Sequence, residues 1–373
     1  MTDHPQDAVS PSESRGQEPI PTEAGEGKSF VDWEFAKATG RRLVSAGPAV
    51  SAAEAADIVA AIRQAAADAQ APVAETSRMD APGMAPPALV VDRPRWIELN
   101  IDSMAALMTP VFAKVAADRK MSATAPGMGV GAKITGAESG ALMAFMASKV
   151  LGQYDLAPQG TPRLLLVAPN LVHVERELEV DAADFRAWVC MHEETHRIQF
   201  TAVPWLREHM IHRATTLAGE LTPTPSELAE RMQQVLKRLP EALGSGGGGL
   251  AELFATPEQR AKIAEVTAIM SLLEGHADVV MDDVGPKVIP SVTEIRAKFT
   301  ERRKGAGAAD KLLRRLLGLE AKMAQYRDGA SFVRGVMDQI GVDGFNAVWT
   351  SPETLPLPAE ILDPAAWVRR VHG

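Results

Sequence analysis

Residues 190–200 read "CMHEETHRIQF", with His192 and His196 four apart and Glu193 directly after the first histidine. On an α-helix, side chains at i and i+4 project from one face, so both imidazoles can reach a single ion. Neutral imidazole suits Zn²⁺, and a carboxylate at Glu193 can act as general base toward an attacking water. Glu194 is charged where such a helix ordinarily meets a core, so it must reach solvent or find a partner. Cys190 sits about 200° around the helix from His192 and should point away from the ion.

A catalytic zinc takes three protein ligands and keeps a fourth position for water. A third histidine six residues beyond the second is excluded, because position 202 is Ala. The stretch "SLLEGHADVVMDD", residues 271–283, supplies Glu274 as third ligand. Asp278, one turn later, is spaced to accept the outer N–H of a ligand histidine. His276 competes for the ligand position. If Glu274 binds, His276 is expected to line the cleft and stabilise an oxyanion. Other oxyanion candidates are His209, His212, Tyr154 and Tyr326, for which solvent-facing or packing roles are the plainer reading. Gly275 would let a neighbouring backbone approach closely.

The elements that must hold these residues are mostly helical. Phe30, Trp33 and Ala36 share a helical face, and Ser51 with Glu54 three residues on marks a helix N-terminus before "AAEAADIVAAIRQAAADAQA". A short strand is expected from Ala88 to near Trp96, and "RLLLVAP", 163–169, is the clearest strand. Helical patterns follow over about 184–202, from about 204, and over about 260–282, 291–303 and 308–341. The C-terminal stretch, rich in Pro and Trp, should pack as an irregular cap. The glycines of "APGMGVGAKITGAESGALMAFMASKVLGQYD" follow no strand and precede no Gly-Lys-Ser/Thr. They read as small residues for close helix packing, not as a phosphate loop. The fold class is therefore mainly α with a small β component, with the His-Glu-x-x-His motif on a core helix.

Residues 1–29 are poor in large apolar groups and read as a disordered tail, leaving 30–373 as the folded domain. The tail lacks the basic-then-apolar pattern of a signal peptide, and no stretch is long and apolar enough to span a membrane. With 39 Lys+Arg against 48 Asp+Glu, the charge of −9 argues against nucleic-acid binding. The basic run "RAKFTERRKGAGAADKLLRR" has interleaved acids and few aromatic partners, so it reads as a solvated helical face. One cysteine allows no intramolecular disulfide and no cysteine-built zinc site, and it suits a cytoplasmic location.

Beyond the motif, "PWLREHM", "LLEGHADVVMD", "RRLLGLEAKMAQYRDGASFV" and "LPAEILDPAAWVRRV" follow in order. Together these segments resemble the actinobacterial zincin-like metallopeptidases of type 2, over residues 30–373. The resemblance implies a mostly helical zincin-like fold, with His192, Glu193 and His196 matching the family motif. Genomic co-occurrence links such proteins to biosynthesis of a deazaflavin coenzyme. The expected function is a zinc-dependent intracellular metallopeptidase or amide hydrolase acting on a peptide or small amide. A protein partner is compatible with the sequence. The alternative is a zincin-like binding or accessory protein, linked to deazaflavin metabolism and with little or no hydrolytic activity.

Overall fold

A computed structural model describes residues 30–81, 88–118, 128–221, 255–304 and 319–373. The N-terminal tail, the Gly-Ser run at 244–249, residues 308–318 of the last long helical pattern and the Tyr326 side chain lie outside what is described. Among the described residues, no helix is long and apolar enough to cross a membrane.

The first three helices are α1 (Trp33–Leu43), α2 (Ala52–Asp68) and α3 (Gln70–Ser77). Ser51 caps α2 as expected, its Oγ accepting from the Glu54 N–H at 3.1 Å. Ile58, Ile62 and Ala66, spaced at i, i+4 and i+8, are the buried stripe of α2. The strand expected from Ala88 to Trp96 is shorter: β1 covers only Leu89–Val91, and α4 (Arg93–Asp118) begins two residues later. Pro94 falls in the first turn of that helix, where its missing N–H costs nothing, so the proline starts α4 instead of ending a strand.

The glycine-rich segment forms α5 (Met128–Ala147), packed along α1. A Cβ on Gly136 would lie 2.5 Å from the Asp32 carbonyl oxygen, and one on Gly140 would overlap that of Ala36. The close-packing reading therefore holds at Gly136 and Gly140, whereas at Gly129 and Gly131 a Cβ would meet nothing within 4 Å. Next come β2 (Gly152–Asp155) and β3 (Arg163–Val167), then α6 (Ala168–Leu178), α7 (Ala182–Ala202) and α8 (Leu206–Leu221). The second half holds α9 (Pro257–Val288), α10 (Val292–Lys304) and α11 (Leu319–Phe345). Three 3-10 turns lead to a last helix, α12 (Pro364–His372), which together make the irregular cap.

The sheet order is β1-β3-β2, with β1 parallel and β2 antiparallel to the central strand. Leu164 to Val167 of β3 are all buried, as befits a strand covered on both faces. Leu166 joins the larger core, made with α2, α6, α7, α9 and α11. Leu165 and Val167 join a smaller one made with α1, α4 and α5. This two-residue alternation sorts the molecule into two helical layers about a thin sheet.

Helix α7 runs through the larger core, and Asp181 caps its start by accepting from the Asp184 N–H at 2.9 Å. Its length alongside α9 is antiparallel: Asp184 accepts from Ser291 at one end, and Gln199 donates to the Leu273 carbonyl at the other. Basic residues of α10 pair with acids, Lys298 with Glu294 and Arg302 with Glu177, in keeping with a solvated face.

Candidate metal centre

The antiparallel pairing of α7 and α9 brings His192, His196 and Glu274 together. His192 Nε2 and His196 Nε2 are 3.2 Å apart, and each is 3.5 Å from Glu274 Oε2. An ion held tetrahedrally by bonds of about 2.0–2.1 Å sets its donors about 3.3–3.4 Å apart, so this triangle has the dimensions of a zinc ligand set. Two imidazoles and one carboxylate also have the chemistry for it, and three protein donors leave a fourth position for water.

Both imidazoles are oriented through their outer nitrogens. His196 Nδ1 donates to Gln199 Oε1 at 3.0 Å, and the Gln199 amide nitrogen donates to the Leu273 carbonyl at 2.9 Å and to His276 Nδ1 at 3.0 Å. With its oxygen used as acceptor and its nitrogen as donor, Gln199 leaves His196 only one tautomer, the one with a bare Nε2 facing the triad. His192 Nδ1 meets Met281 Sδ at 3.0 Å. Gln199 lies one turn beyond His196, and Met281 two turns beyond Glu274. Helical spacing from the ligands was thus the signal that could have pointed to both.

These partners displace the ones expected from spacing. Asp278 accepts from neither ligand histidine; it lies near Arg296, because the outer nitrogens face Gln199 and Met281. His276 does not line a cleft either. It is fully buried, stacked at 5.4 Å on Phe345 and edge-on to Trp349, with Nε2 unpartnered. Burial and the nearby His196 push its pKa down to about 3, so it is a neutral ring braced against Gln199. On α9, residues 274 and 276 point about 200° apart, so only one can reach His192 and His196, and His276 meets α7 at Gln199 instead.

Glu193 is buried beside the triad and makes no ion pair among the described residues. Burial raises its pKa against the pull of His192 and His196, and Glu274 raises it further. Gly152 of β2 lies against it, where a Cβ would fall 2.5 Å from Glu193 Cγ. Burial would lower the His196 pKa, but Glu274, Glu193 and Gln199 lift it to about 9. Burial would raise the Glu274 carboxyl, and the two histidines outweigh it, holding the group well below the usual carboxylate range.

Glu194 has found a partner. Although buried, it accepts both Nε, at 2.7 Å, and Nη2 of Arg197, one turn along α7. Cys190 faces away from the triad, its Sγ 3.9 Å from the Ile62 carbonyl, and burial raises its thiol pKa, leaving it inert. Tyr154 stacks on Phe200 at 5.4 Å. His209 packs edge-on against Trp205 and His212 is exposed; the two line a hollow of about 390 Å³ with Arg213 and Lys262, apart from the triad.

None of the curated proteins matches this chain. A solved structure does: a provisionally assigned hydrolase with a novel fold from Chloroflexus aurantiacus, 29% identical, with a TM-score of 0.64 over 92% of this chain and 99% of that one. With residues 31–368 matched by the model of the zincin-like metallopeptidases, the chain belongs to that family.

Proposed function

We propose that the protein is a zinc-dependent hydrolase of peptide or small amide bonds. The observation that carries this reading is the triangle of His192, His196 and Glu274 with an unpaired, buried Glu193 beside it. Zinc held there would supply Lewis acidity, acidifying a water and polarising the scissile carbonyl. Glu193 accepts the proton of the attacking water and returns it to the leaving nitrogen. Gln199 and Met281 keep both imidazoles turned toward the centre throughout. Strand β2, at the edge of the sheet with Gly152 against Glu193, favours an extended peptide as substrate, since an edge strand presents unpaired backbone groups.

The test is metal content by elemental analysis, followed by a peptide-library screen. Wild-type protein should hold about one zinc per chain, and His192→Ala and Glu274→Ala should lose it while His276→Ala keeps it. Glu193→Gln should keep the metal and lose roughly 10²- to 10⁴-fold in turnover. Protein that takes up no zinc would rule out the hydrolase. Zinc held without any amide hydrolysis would favour the accessory-protein reading.

A further inference from the structure

Buried charge in this molecule is matched almost everywhere. Asp155 pairs with Arg163, Glu175 with Arg186, Glu194 with Arg197 and Glu360 with Arg370. Among the described residues, two buried charged side chains have no ion-pair partner. One is Glu193, beside the metal triad. The other is Arg93, the first residue of α4.

Arg93 is only 4% exposed, and every group it bonds is neutral. Nε donates to Asn170 Oδ1 at 2.6 Å, and Nη1 donates to Ser45 Oγ at 2.6 Å and to the Ser45 carbonyl at 3.1 Å. Asn170 is itself anchored, donating to the carbonyls of Ala147 and Val150 at 2.7 and 2.5 Å. The guanidinium is therefore fixed in place on two of its three nitrogens. Nη2 donates to none of the described groups, and it is not among the nitrogens sealed from solvent. Gly47, at φ +94°, lets the loop before α2 lie against the guanidinium carbon. A buried cation with neutral partners is expensive to maintain, and burial indeed lowers its pKa.

The open side of Arg93 belongs to a hollow of about 570 Å³, within the size range of small-molecule sites. Lys149, His173 and Arg176 line it too, with the hydroxyls of Ser45 and Ser148, and no carboxylate does. Of the other lining side chains, Arg176 bonds Glu54 at 2.8 Å, His173 lies 3.6 Å from Glu177 and Lys149 lies over the Phe145 ring. Arg93 has no ion-pair partner among the described residues. The lining shares no residue with the metal triad.

We propose that this hollow is a binding site for a phosphate-bearing small molecule, with the phosphate seated on Arg93 Nη2 and ringed by Lys149 and Arg176. A phosphate dianion suits a site that offers one fixed guanidinium edge, further cations and the Ser45 hydroxyl, where a single carboxylate would leave donors unused.

Calorimetric titration of the full chain with inorganic phosphate and with glycerol 3-phosphate, at constant ionic strength, tests it. Saturable binding of both is expected, weakened at least tenfold by Lys149→Glu, an exposed substitution that spares the Asn170 network. Arg93→Lys should weaken it as well. His192→Ala should bind phosphate as the wild type does. No saturable binding overturns the proposal. So does acetate binding as tightly as phosphate, affinity untouched by Lys149→Glu, or loss of phosphate binding in His192→Ala, which would place the anion at the metal centre.

Discussion

Helix α1 crosses α5 and helix α9 crosses α11 by the same device, glycine against backbone. Gly136 and Gly140 take the carbonyls of Asp32 and Ala36 at the first crossing; Gly275 and Gly329 interlock at the second, where a Cβ on either would overlap the facing main chain. The first crossing is flanked by small and apolar residues of the lesser core. The second has Glu274 and His276 on either side of its glycine. Close backbone approach is thus neutral toward function. It becomes part of a site only where the next residue along presents a ligand to a third helix, as Glu274 does to α7.

The largest effects should come from breaking each crossing in turn. Gly275→Ala and Gly140→Ala each force a Cβ into main chain, and overpacking of that kind costs about 1–3 kcal/mol or more. Both should lower the thermal midpoint. Only Gly275→Ala should also lower zinc content in the folded fraction, because it rotates or lifts the helix that presents Glu274. Equal zinc loss in Gly140→Ala would show that the two layers are mechanically one.

A smaller effect separates the network from the packing. Gln199→Leu keeps the volume of the site but removes the acceptor for His196 and leaves His276 Nδ1 unpaired. Zinc affinity, measured by competition with a chelator, should fall about 10- to 100-fold. Stability should fall by about 1–3 kcal/mol, the cost of stranded buried polar groups. Unchanged zinc affinity would mean that the histidines are oriented by packing alone.

The smallest effect lies in the cap that leans on α11. Burial would raise the Glu360 carboxyl, but hydrogen bonds from Arg370 and the Leu357 N–H outweigh it and leave the pKa below 4.5. A depressed carboxyl contributes stability that is present above pH 4.5 and lost as pH falls through the folded value. Arg370→Gln should therefore melt below the wild type at pH 7, by the equivalent of about 1 kcal/mol given the partial exposure of Arg370. The gap should narrow as pH falls below 4.5 through the folded value, leaving the part due to the Glu353 and Leu355 carbonyls that Arg370 also bonds.

Much of this was legible in the chain. Ser51 and Glu54 announced α2, the run at 163–169 announced the central strand, which ends at Val167 where α6 begins, and the His192/His196 spacing put two imidazoles on one helical face. The small residues around Gly136 and Gly140 were legible as a packing surface. Each of these signals is local: a cap, a period or a missing side chain acts within one or two turns of itself. Less legible was α4, where the strand expected to run to near Trp96 stops at Val91 and Pro94 serves as a helix start.

The partners across helices could not be read in the same way. Glu194 carried its own answer one turn away in Arg197, yet choosing that over solvent requires knowing that α7 is buried on nearly every side. By themselves, the residue types of α9 left Glu274 and His276 as rival ligands and offered Asp278 as support. The rivals point to opposite sides of one helix, so the choice is a matter of how α9 is rotated about its axis. That rotation is set by the contact of Gly275 with Gly329 behind it, which turns Glu274 to the histidines and seals His276 among Phe345 and Trp349. The same rotation hands the outer nitrogens to Gln199 and Met281 and leaves Asp278 beside Arg296. The ligand types were local properties of the sequence, and their convergence was a property of packing between segments some eighty residues apart.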